Sequence, residues 1–183
     1  MNRRDFIKAA AAAAPFAAVR AQAASPAAEL SVQVVRLKLR HAWTTTMSTS
    51  QYCDTLYVAY TRDGITGRGE GAPIVRYHED AEGARTAVES VRPLLLSRHP
   101  LQSVRTMAEF SGRVEGQWAA KSAVDIALLD WVGKRLGIPL YSYFGLDPGD
   151  APLTTFSIGI DSPEITRQKT REAADFPILK IKV

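Results

Sequence analysis

The residues best placed to do chemistry close the chain: Leu179-Lys180-Ile181-Lys182-Val183. On a strand, residues two apart point to the same side. Lys180 and Lys182 then share one face with Ile178, and Leu179, Ile181 and Val183 share the other. Two ammonium groups confined together repel, so one of them can serve as a base near neutral pH. Taken alone, alternating lysines on a strand describe a solvated face, and only their setting can turn them into a site. Other candidates are weaker. Cys53 is the single cysteine, cannot form an internal disulfide, and reads as a small packed residue. His41, His78 and His99 show no metal-ligand spacing, Asp125 and Asp130 lie on a long helical stretch, and Glu70 reads as a strand-end acid. Glycine loops of the phosphate-binding type are absent.

The elements that must position these lysines are legible in the pattern. Glu29 to His41 alternates apolar and polar residues, with a slip near Val35. A polar stretch, Thr44 to Gln51, follows. Leu56 to Thr61 and Ile65 to Ala72 flank Asp63-Gly64, a hairpin signal, so three antiparallel strands are expected. Helices are expected from Glu79 to about Leu96, from Ser103 to Phe110, and from Gln117 to Leu136, the last ended by Gly137-Ile138-Pro139. Glu79 and Asp80 sit where the first helix favours acids. After the turn at Asp147-Pro148-Gly149-Asp150 the pattern becomes strand (Thr154 to Ile160), helix (Pro163 to Ala174) and strand (Ile178 to Val183). Asp161 or Ser162 can cap that helix. A strand-helix-strand unit implies a parallel pair. In a β/α barrel the apolar side of the last strand would meet helices, turning both lysines inward.

The first two dozen residues read differently. Arg3-Arg4-Asp5-Phe6-Ile7-Lys8 precedes an alanine-rich run and Ala21-Gln22-Ala23, a charged region, a weakly apolar region and a cleavage site. The paired arginines resemble a twin-arginine (Tat) export signal over residues 1–23, which implies handling by the Tat machinery and a periplasmic destination. The apolar run is too short for a stable membrane span. The leader carries +3 of the formal net charge of +4, and no basic stripe remains to argue for nucleic acid.

Order and motifs together resemble the mandelate racemase and muconate lactonizing group of the enolase superfamily. Ser122 to Asp130, continuing to Gly137-Ile138-Pro139-Leu140-Tyr141 and Phe144-Gly145, is similar to that group's capping-domain helix and its exit. Thr155-Phe156-Ser157-Ile158-Gly159-Ile160-Asp161-Ser162-Pro163-Glu164, with Phe176 to Lys182, is similar to the dipeptide epimerase branch. The resemblance implies an α+β capping domain (three-stranded antiparallel sheet plus helical block) over residues 24–152. The first β-α-β unit of a truncated (β/α) barrel would follow over 153–183.

It also implies a mechanism. Mg²⁺ binds the substrate carboxylate and stabilises the enediolate left when the α-proton departs, while lysines remove and return that proton. Lys182 matches the base, and Lys180 matches the partner that tunes it. Ser157 falls at a substrate-contacting position, and Trp43 would line the same pocket. Ser48 stands where alanyl-glutamate epimerases carry an arginine, which favours a neutral or hydrophobic second residue at least as much as an acidic one. The metal carboxylates and the opposing lysine of the family lie on later strands, so no metal ligand is assigned here. A complete barrel needs roughly 250 residues, so the chain is expected to be the front of a longer enzyme, inactive alone, whose parent can form a homo-oligomer. Two other outcomes stay open: another superfamily reaction (N-acyl amino acid racemisation, cycloisomerisation or acid-sugar dehydration), or a non-catalytic exported binding module.

Overall fold

A computed structural model describes residues 27–183. Residues 1–23, read above as an export signal, lie outside them. The described chain forms a three-stranded antiparallel sheet, a helical block, and a separate two-stranded parallel sheet.

Strands β1 (Glu29–Thr44) and β2 (Thr49–Arg62) are long, and they pair antiparallel from Glu29↔Thr61 to Lys38↔Tyr52. The register then shifts between Lys38 and Trp43 before resuming at Trp43↔Ser50. The irregularity therefore lies beyond the slip expected near Val35. At Val34 and Val35 the burial alternation relaxes while the ladder continues, so an apolar pair mimics a bulge without making one. Half of the polar stretch is strand too, and the other half, 45–48, makes a tight tip closed by the Thr45 N–H donating to the Ser48 carbonyl at 2.9 Å. Strand β3 (Ile65–Gly71) returns along β2 through Asp63 and Gly64, both at positive φ (52° and 75°), as a two-residue hairpin turn requires.

Helices cover one face of this sheet. Leu56, Val58 and Tyr60 alternate into the core of β2, each at most 1% exposed. Against them pack α1 (Ala81–Ser90), α2 (Arg92–Ser97), α3 (Ser103–Arg113) and α4 (Trp118–Leu136). The expected single helix through Leu96 breaks at Val91, because Pro93 cannot donate the hydrogen bond that would continue it. Asp80 caps α1 by accepting from the Gly83 N–H at 2.7 Å. Glu79, expected to serve the same helix, instead caps α4: its carboxylate accepts from the N–H groups of Trp118 at 2.7 Å and Ala119 at 3.2 Å. The acid is 39 residues from the helix it caps, so no local pattern reveals it.

Helix α4 holds the centre. Trp131 is fully buried, and its indole N–H donates to the Arg62 carbonyl at 3.0 Å. Strand β3 reads Gly67, Gly69, Gly71 on one face, and these sit under the backbone of Ala127, Ala123 and Ala119. Two strand residues advance about 6.7 Å and four helical residues about 6 Å, so the two small-residue rows keep step and the backbones touch. Gly137, at φ 69°, ends α4 with the Ile138 N–H on the Gly133 carbonyl.

After a short helix α5 (Leu140–Tyr143), strands β4 (Thr155–Ile158) and β5 (Ile178–Ile181) pair parallel, joined by α6 (Pro163–Glu172). Ser162 caps α6 from Pro163's preceding position, accepting from the Ile165 N–H at 3.3 Å. No helix among the described residues is long and apolar enough to cross a membrane.

Candidate functional site

The far end of the antiparallel sheet leans on the parallel pair. Gly159 follows β4, and a Cβ there would meet the Thr44 nitrogen and oxygen at 3.0 Å each. The Ile160 N–H donates to the Thr44 carbonyl at 2.9 Å. Glycine is what lets the two backbones close to this distance.

Ionic contacts reinforce the join. His41 Nε2 lies 2.6 Å from Glu172 Oε2, and Arg40 reaches the same oxygen at 3.5 Å. Lys169, only 4% exposed, donates to Asp161 at 3.1 Å and approaches the Ala42 carbonyl at 3.5 Å. Hydrogen bonds from Gln168 and His41 hold the Glu172 carboxyl below its ordinary range. The Ser162 N–H and then Lys169 do the same for Asp161. Sequence reasoning saw only a histidine without ligand spacing; its partner is 131 residues away.

This join encloses a cavity of about 1100 Å³. One wall is the β1–β2 tip, another is the turn at Val75–Tyr77, and the floor comes from β4. Trp43, Ser48 and Ser157, read from the sequence as substrate-contacting residues, all line it. Trp43 and Ser48 are exposed on the tip, and Ser157 is half-buried in the floor. Cys53 also lines the wall, and burial, then Asp54 and Glu70, push its thiol upward.

The lysines stand one step away. Lys180 is the register partner of Ser157 across the parallel pair, so both side chains leave the same side of that sheet. Lys182 lies two residues on, and its N–H donates to the Ile158 carbonyl at 2.9 Å. Lys180 is exposed, Lys182 is half-buried, and neither lines the cavity. Phe156 and Leu179 are likewise paired, on the opposite side, where Phe156 packs on Phe176 with ring centroids 4.8 Å apart.

Asp130 is structural: it accepts from the Arg68 N–H at 2.7 Å and from Lys134 at 2.6 Å, tying α4 to β3. Glu70 is exposed on β3, and burial raises the Asp125 carboxyl. Among the described residues, no three His, Cys, Asp or Glu side chains group so as to hold a metal.

Residues 27–145 match the sequence profile of the mandelate racemase / muconate lactonizing enzyme N-terminal domain. An L-Ala-D/L-amino acid epimerase of Pedosphaera parvula is 37% identical over 152 residues, covering 80% of this chain and 43% of the relative. An L-Ala-D/L-Glu epimerase of Bacteroides thetaiotaomicron is 34% identical, covering all of this chain and 52% of the relative. The chain thus spans about half the length of the curated relatives it matches. Among solved structures, a dipeptide epimerase from Enterococcus faecalis, in complex with Mg and L-Leu-L-Tyr, superposes with a TM-score of 0.77. It is 28% identical, over 85% of this chain and 45% of that one.

Proposed function

Because the chain belongs to the mandelate racemase/muconate lactonizing enzyme family, we propose that it is the amino-terminal part of a dipeptide epimerase. The cavity between the sheet tip and β4 holds the dipeptide. Lys182 removes the α-proton beside the substrate carboxylate, and Lys180 is its neighbour two residues earlier on the same strand side. Ser157 contacts the substrate backbone from the floor, while Trp43 and Ser48 cover it from the tip. The observation that carries this reading is the gathering of Trp43, Ser48 and Ser157 round one cavity, with Lys180 paired to Ser157 on the same side of β4–β5.

Mg²⁺ is the cofactor this reading expects for the whole enzyme, since the similar Enterococcus protein is complexed with Mg and a dipeptide. The described residues do not themselves make a fitting site, and no step above runs through a metal. Export by the twin-arginine route to the periplasm belongs to the same proposal and rests on Arg3, Arg4 and the alanine run alone.

The test is exchange in D₂O. A polypeptide carrying this chain continued through a full barrel should wash deuterium into the α-position of the second residue of L-Ala-L-Xaa dipeptides and invert it. The 183-residue chain alone is expected to show no turnover. Lys182→Met should slow exchange by roughly 10²–10⁴-fold, the usual contribution of a positioned general base. Absence of exchange with every dipeptide tried, or an unchanged rate in Lys182→Met, overturns the proposal.

A further inference from the structure

Among the described residues, Arg76 lines the cavity without an ion-pair partner. Three cationic side chains line the cavity, Arg40, Lys169 and Arg76, beside the imidazole of His41. Arg40 and His41 converge on Glu172, and Lys169 is bound to Asp161. For Arg76, among the described residues, the one side-chain hydrogen bond runs from Nη2 to Met47 Sδ at 3.3 Å, and both residues line the cavity. A thioether is a weak acceptor, and a guanidinium carries five donors in a planar fork suited to a carboxylate.

The acids around the cavity cannot serve it. Asp54 is held by Arg36 at 2.7 Å, Asp80 accepts from the Gly83 N–H, and Glu79 accepts from the start of α4. The turn that carries Arg76 is itself anchored. The Tyr77 N–H returns to the Ile74 carbonyl at 2.8 Å, His78 takes a left-handed conformation, and the next two residues are the capping acids just named. Arg76 therefore projects from a fixed base over an apolar mouth formed by the exposed side chains of Ile74, Val75 and Met47. A ligand seated there would bring an apolar stem past these residues and a negative end to the guanidinium.

We propose that Arg76 is the specificity-determining residue of this cavity, receiving the side-chain carboxylate of an acidic second residue. The assignment rests on the dipeptide-epimerase reading above and selects L-Ala-L-Glu-like substrates over neutral ones. Every dipeptide also carries a terminal carboxylate, so the comparison that matters is Glu against its uncharged isostere Gln.

Deuterium exchange is measured on L-Ala-L-Glu and L-Ala-L-Gln with the full-length enzyme, its Arg76→Leu and Arg76→Lys variants, and an Arg76→Glu reversal. The wild type should favour the Glu dipeptide. Arg76→Leu should lower kcat/KM for it by roughly ten- to a hundredfold, mainly through KM, the scale of one charge-assisted hydrogen bond at a partly wet site. Turnover of the Gln dipeptide should stay within about threefold. Arg76→Lys should recover part of the loss, and Arg76→Glu should raise turnover of L-Ala-L-Lys. Equal losses on Glu and Gln would assign Arg76 to the terminal carboxylate and overturn the proposal, as would a wild-type preference for Gln. If no dipeptide exchanges at all, the epimerase reading has failed instead, and that result is distinguishable from either of these.

Discussion

Gly69→Ala isolates the contact that sets the sheet against α4. A Cβ at this position would lie 2.7 Å from the Ala127 nitrogen and closer still to the Ala123 carbonyl oxygen. Both obstacles are main chain within a helix, so no rotamer change relieves them. Restoring ordinary contact requires α4 to withdraw from β3 by roughly 1 Å or more, which also loosens the packing round Trp131. Overpacking costs about 1–3 kcal/mol where side chains can yield. With backbone on both sides the upper end applies, about 3 kcal/mol, a large part of the roughly 5–15 kcal/mol that holds a domain together. For a chain of this size that is a fall in Tm of roughly 6–12 °C. Two other glycines calibrate the result. Gly64 has open space but φ 75°, so Gly64→Ala should cost about 1–2 kcal/mol through backbone strain. Gly112 has open space and lies within α3, so Gly112→Ala should stabilise by about 0.5–1 kcal/mol. Equilibrium urea unfolding followed by tryptophan fluorescence reads all three. If Gly69→Ala costs no more than Gly64→Ala, the close approach of β3 and α4 is not what requires glycine, and the reasoning fails.

Two further outcomes are expected. Glu79→Ala removes the acceptor of two N–H groups at the buried start of α4 and should cost about 2 kcal/mol by the same unfolding measurement, with Glu79→Gln intermediate because it keeps one acceptor. Glu172 has its carboxyl lowered from 4.5 in the folded chain, so its contribution is fully present above that pH and is lost as pH falls through the folded value. Unfolding midpoints taken from pH 6 down to pH 3 should therefore fall less steeply in Glu172→Gln than in the wild type, and parallel curves would show that the His41–Glu172 contact does not stabilise the join.

The elements were legible where a period was long and its ends were punctuated. The stripe from Ala120 to Leu136 with Gly137 behind it, the Asp63-Gly64 turn, and the change to strand-helix-strand after Asp147 all appear at nearly their observed bounds. What was not legible is action at a distance. Glu79 looked like the cap of the helix beside it and caps one further along the chain. The glycine alternation in β3 carries meaning only once Ala119, Ala123 and Ala127 are known to lie above it. The apolar spacing through Leu95 reads as one helix, and the break at Val91 that Pro93 makes went unread. At the site, Trp43, Ser48 and Ser157 were named from a resemblance and the fold gathers them. Arg76, on a three-residue turn with no periodicity, gave no signal beforehand.

The geometry separates two tasks. Residues that would move a proton sit on β5, and residues that would choose the substrate sit on the sheet tip and the Val75–Tyr77 turn, reached through different covalent paths. Only the join connects them. Gly159 against Thr44, the Ile160–Thr44 hydrogen bond, and the His41–Glu172 and Lys169–Asp161 contacts set the tip's height over Ser157. A side chain at 159 would meet main chain at 3.0 Å and lift the tip, changing the depth of the cavity while leaving Lys180 and Lys182 on their strand. Substitutions on the tip or turn should then alter which substrate is held, and substitutions at the join should alter how well any substrate is held. Changes on β5 should alter the proton transfer itself.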